Sequence, residues 1–72
     1  MDNNWIKIYT STEQYKINLL KGYLLKRDIL TISINKKDSS YLVFGEIELY
    51  VKKENVILAK NLIEKQNNGH NA

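Results

Sequence analysis

From Phe44 the chain reads Phe-Gly-Glu-Ile-Glu-Leu-Tyr-Val, and after Gly45 apolar and polar positions alternate strictly as far as Val51. Ile47, Leu49 and Val51 fall on one side; Glu46, Glu48 and Tyr50 fall on the other. This is the period of a strand with one buried face and one wet face. Trp5 to Tyr9 alternates in the same way, with Ile6 and Ile8 inward and Trp5, Lys7 and Tyr9 outward. A third run, Ile29 to Ile34, predicts a strand that sends Leu30, Ile32 and Ile34 inward and Thr31 and Ser33 outward.

Between the first two strands the spacing changes to that of a helix, predicted over 12–27. Ile17, Leu20 and Leu24 cluster on one side and form its core stripe, with Tyr23 on the flank. Tyr15 and Leu19 lie nearly opposite, beside Gly22, either as scattered surface apolar groups or as a contact face. Thr10 with Glu13, and Ser11 with Gln14, offer two overlapping capping boxes at the helix start. Lys26 and Arg27 are expected in its last turn, where positive charge suits the helix dipole. A second helix is predicted over 54–65, with Val56, Ala59 and Ile63 inward and Leu62 beside them. Residues 66–72 offer no apolar anchor and are expected to fray.

The order is therefore βαββα. Each strand has one apolar side, so the two helices must cover one face of the sheet. A right-handed crossover leaves a gap between the first two strands, and the third fits there antiparallel to both. The expected fold is an α+β two-layer sandwich, ferredoxin-like, with three antiparallel strands in the order 1-3-2. The domain spans residues 1–66, followed by a disordered tail over 67–72. The open face would show Trp5, Lys7, Tyr9, Thr31, Ser33, Glu46, Glu48 and Tyr50, with Lys7 paired to Glu46 or Glu48. The outer edge of the first strand is left bare.

Charge and composition exclude more than they assign. Of 72 residues, 11 are basic and 8 acidic, for a net charge of +3. The basic residues are scattered and only Arg27 is an arginine, so the excess reads as solvated surface and not as a nucleic-acid footprint. Trp5, Tyr9 and Tyr50 resemble base-stacking aromatics, but Glu46 and Glu48 on the central strand would repel a phosphate backbone. On an open face those two carboxylates read as solvated or lysine-paired, not as an acid–base couple. The chain has no cysteine, and His70 is its one histidine, so no metal site or cofactor is expected. Ser39 and Ser40 have no base beside them, and no enzymatic activity is expected. The N-terminus shows no signal-peptide pattern and no apolar run approaches a membrane span. Both point to a cytoplasmic protein without membrane attachment.

Several stretches together resemble a known family. They are Trp5-Ile6-Lys7-Ile8-Tyr9-Thr10, the leucine-rich first helix, Asn35-Lys36-Lys37-Asp38-Ser39-Ser40-Tyr41, Phe44 to Val51, and Ala59-Lys60-Asn61-Leu62-Ile63. The chain resembles a small bacterial domain family of unknown function named for prokaryotic signal-transducing proteins, in its Bacteroidetes version, over about residues 5–64. The resemblance implies a PII-like, ferredoxin-like fold. It departs at Asp28, where the family usually ends its first helix with glycine. In PII-like folds the connection corresponding to Asn35 to Gly45 contacts partners. This implies a partner or ligand loop of Lys36, Lys37, Asp38, Ser39, Ser40, Tyr41 and Phe44. The same loop is open to a structural reading, folded back through Tyr41 and Phe44. The function expected is a non-enzymatic protein-interaction or regulatory module. It would self-associate as a homodimer through a sheet-face interface of Trp5, Lys7, Tyr9, Glu46, Glu48 and Tyr50. The alternative is a sensor that holds an anion or nucleotide at the loop.

Overall fold

The computed structural model describes residues 4–36 and 45–69. Its elements are β1 (Trp5–Ser11), α1 (Gln14–Leu25), β2 (Thr31–Lys36), β3 (Glu46–Lys52), a 3-10 turn (Lys53–Asn55) and α2 (Val56–Gly69). The three strands form one sheet in the order β1-β3-β2, and β3 is antiparallel to both neighbours. The fold is thus the expected βαββα sandwich of ferredoxin-like type, with the central position taken by the most cleanly alternating strand.

The core lies between the helices and one face of the sheet. Ile47, Leu49 and Val51 of β3 meet Ile17, Leu20 and Leu24 of α1 and Ala59, Leu62 and Ile63 of α2. These are the side chains that the periodicity of the three segments assigns to the interior. Ala59 is fully buried, and its single methyl leaves room for α2 to lie close to its neighbours. Val56 and Tyr23 pack at the rim of the same cluster.

Neither capping box forms. Helix α1 starts at Gln14, and its N-cap Glu13 makes no side-chain cap bond. Instead the Ser11 hydroxyl accepts the Glu13 N–H at 3.0 Å, a local turn that competes with capping. Lys26 and Arg27 lie beyond the helix instead of closing its last turn, and the Arg27 guanidinium sits 5.4 Å above the Tyr23 ring. At the other end of the chain, α2 begins two residues later than predicted and its backbone remains helical through Gly69.

The exit from α1 sets the phase of the next strand. The Ile29 N–H reaches back to the Leu24 carbonyl at 3.0 Å, and the Asp28 N–H reaches the Leu25 carbonyl at 2.9 Å. This is the Schellman arrangement, and it requires a left-handed residue at Asp28, whose φ is 64°. Asp28 therefore occupies the place a glycine would fill with less strain. Asp28→Gly is expected to raise the unfolding free energy by about 0.5–1 kcal/mol: the strain relieved exceeds the freedom glycine adds to the unfolded chain. Urea denaturation would check this. A glycine variant no more stable than the parent would mean that the Asp28 carboxylate itself supports the turn.

Because Ile29 closes that motif, it packs on Leu24's side and is buried. This reverses β2. The strand starts at Thr31, not Ile29, and Thr31, Ser33 and Asn35 stand opposite Val51, Leu49 and Ile47. They share the helix-covered face. Ile32 and Ile34 stand opposite Tyr50 and Glu48 on the open face, and Leu30 before them is 62% exposed. The expectation of Leu30, Ile32 and Ile34 inward and Thr31 and Ser33 outward is thus inverted. The hydroxyl groups are accommodated because α1 places Lys21 over the strand, where its Nζ donates to Ser33 Oγ at 3.3 Å.

A second reversal occurs in β1. Ile6 pairs with Val51 and Lys7 with Tyr50, but the next pair is Tyr9 with Leu49. Ile8 is the extra residue of a bulge, which shifts the alternation by one. Tyr9 is carried from the open face to the helix side, where it and Ile8 pack against the core.

Candidate interaction surface

The open face of the sheet is built row by row from the strand register. Trp5 lies beside Lys52 at one end. Lys7, Tyr50 and Ile32 form the next row, then Thr10, Glu48 and Ile34, with Glu46 at the far end. Of the six residues predicted for this surface, Trp5, Lys7, Glu46, Glu48 and Tyr50 are there and Tyr9 is not. Ile32 and Ile34 are there, although simple alternation assigns them to the core. The sequence signal that could have placed them is Ile29: if it closes the helix, every second residue after it points the same way.

Glu48 sits at the centre of this face and is only 6% exposed. A carboxylate so enclosed needs donors. The Tyr50 hydroxyl donates to Oε1 at 2.7 Å, and Lys7 Nζ donates to Oε2 at 3.4 Å. Lys7 thus pairs with Glu48 diagonally, while standing opposite Tyr50 in the backbone register. At the end of the sheet the Lys52 ammonium lies 5.4 Å from the Trp5 ring, which fixes the indole against the strand end. Lys7, Glu48, Tyr50 and Lys52 are therefore engaged locally, and the isoleucines and aromatic rings supply the surface between them.

The bond to Glu48 pushes the Tyr50 phenol above its ordinary value of 10.0, with burial and the nearby negative charge acting in the same direction. The folded chain therefore favours the protonated phenol. That contribution is fully present below the unfolded value of 10.0 and is lost as pH rises through the higher folded value. In an alkaline absorbance titration Tyr50 is expected to ionise above the ordinary tyrosine value of 10.0, and Glu48→Gln should lower its transition. A Tyr50 transition unchanged by Glu48→Gln would show that the carboxylate does not set it.

Elsewhere, a surface groove of about 310 Å³ runs between the helices, lined by Asn18, Leu19, Gly22, Tyr23, Lys26 and Gln66. Leu19 and Tyr15 are exposed on that outer side of α1, as the helical spacing predicts. Among the described residues no three His, Cys, Asp or Glu side chains gather as metal ligands, and no helix is long and apolar enough to cross a membrane. Of the predicted partner loop, Lys36 is the last residue of β2, and Lys37, Asp38, Ser39, Ser40, Tyr41 and Phe44 lie outside the described residues. His70 lies outside them too. No family model, curated protein or solved structure matches the chain.

Proposed function

We propose that this chain is a non-enzymatic interaction module that works by self-association through its sheet, as in a regulatory or signal-transducing domain. The observation that carries the reading is the placement of Ile32 and Ile34. Two branched apolar side chains stand on the face that the helices do not cover, on a strand whose outer edge meets no other strand among the described residues. Together with Trp5 and Tyr50 they form an apolar surface of the kind enriched at interface cores. Glu48 supports the non-enzymatic reading, since Tyr50 and Lys7 already occupy its carboxylate oxygens.

The test is sedimentation at tens of micromolar. The parent chain is expected to sediment as a dimer, and Ile34→Lys as a monomer with an unchanged circular dichroism spectrum. Lysine is chosen because residue 34 stands opposite Glu48, so the new charge has a partner within the fold. A parent chain that remains monomeric at these concentrations removes the proposal.

A further inference from the structure

We infer that two copies join β2 to β2 across a two-fold axis at Ser33, making one six-stranded sheet with four helices on one side. This rests on the self-association proposed above and names its seam. The two outer edges of the sheet differ. Strand β1 carries the Ile8 bulge and the half-exposed Lys7, both devices that discourage a further strand from pairing. Strand β2 pairs with β3 residue for residue from Thr31 to Lys36 with no bulge, and the chain contains no proline to interrupt it.

The occupant is a second copy because the strand is complementary to itself. Thr31-Ile32-Ser33-Ile34-Asn35 is symmetric in character about Ser33. Antiparallel pairing centred there sets Ile32 against the partner's Ile34, Thr31 against the partner's Asn35, and Ser33 against the partner's Ser33. Branched apolar groups then meet on the open face and small polar groups meet under the helices, each a favourable cross-strand match. A two-fold contact requires this kind of self-match. The flanks agree. Leu25, one turn beyond the Lys21 that touches Ser33, is 59% exposed, and Leu30, just before the strand, is 62% exposed. Leu30 adjoins the strand directly, and a second copy paired along β2 would cover it.

The chain has no cysteine, so introduced thiols report the seam directly. Residues facing each other across antiparallel strands have α-carbons about 4.5–5.5 Å apart, within disulfide reach. Under mild oxidation at tens of micromolar, Ser33→Cys is expected to run mostly as a linked dimer on a non-reducing gel. Asn35→Cys alone should stay unlinked, because four residues of strand, roughly 13 Å, separate it from its copy. The double variant Thr31→Cys with Asn35→Cys should link, which guards against a folding defect peculiar to Ser33→Cys. If the parent sediments as a dimer but neither variant links, while Thr10→Cys on the open face does, the sheets pair face to face. The seam is then wrong and self-association stands. Equal linking of Asn35→Cys and Ser33→Cys also overturns the register. A monomeric parent overturns both readings.

Discussion

Leu49→Ala is expected to lower the unfolding free energy by about 2–5 kcal/mol, the range for deleting a buried leucine side chain. Leu49 lies at the middle of the central strand and is fully buried. Its backbone neighbours are Tyr9 on one side and Ser33 on the other. Neither can easily fill the space left, since Tyr9 is held at the rim by the bulge and Ser33 by its bond from Lys21. A domain of this size has a total stability of about 5 kcal/mol or little more, so the variant should be partly or wholly unfolded at room temperature. Thermal denaturation followed by circular dichroism decides the matter. Melting within a degree of the parent would mean that Leu49 does not face the core.

Nearly as large an effect is expected from the pair that closes α1. Leu24 and Ile29 are both fully or almost fully buried, and the backbone bond between them brings their side chains to the same place. Leu24→Ala should cost about 2–5 kcal/mol. Because the two side chains sit in one structural motif, the double change Leu24→Ala with Ile29→Ala should cost less than the sum. The shortfall should lie in the range of about 0.5–3 kcal/mol found for residues in contact. Urea unfolding of the four chains measures it. Strict additivity would show that the contact contributes nothing beyond separate burial, and the inward phase of β2 would then need another cause.

That phase marks the boundary of what the chain's pattern discloses. Strand β3 was legible because it is central: one side packs under both helices and carries only apolar groups, the other carries only groups with polar ends, and Ile47 to Val51 obey the contrast. The stripes of α1 and α2 were legible for the same reason. Strand β2 was not, because it lies at an edge, where burial on the two faces differs little. There, Thr31, Ile32, Ser33 and Ile34 are all half-buried whichever way they point. With burial nearly even, the hydrogen bonds of the preceding turn set the phase, and alternation alone cannot see them. The open surface was therefore legible in its β1 and β3 residues, Tyr9 excepted, and hidden in its β2 residues. Tyr9 was missed because the bulge at Ile8 carries no glycine to announce it.

The bulge has a bearing on how this domain tolerates changes in chain length. It divides β1 into a front portion, Trp5 to Lys7, and a rear portion, Tyr9 to Ser11, whose phases are opposite. Deleting Ile8 would remove the unpaired residue and leave Lys7 opposite Tyr50 and Tyr9 opposite Leu49 in one unbroken alternation. Trp5 and Lys7 would stay outside, Ile6 and Tyr9 would stay on the helix side, and Glu48 would keep its lysine. A related chain one residue shorter at this point would therefore keep both the architecture and the outer surface, so an aligned gap at Ile8 marks a straighter edge strand rather than a change of recognition.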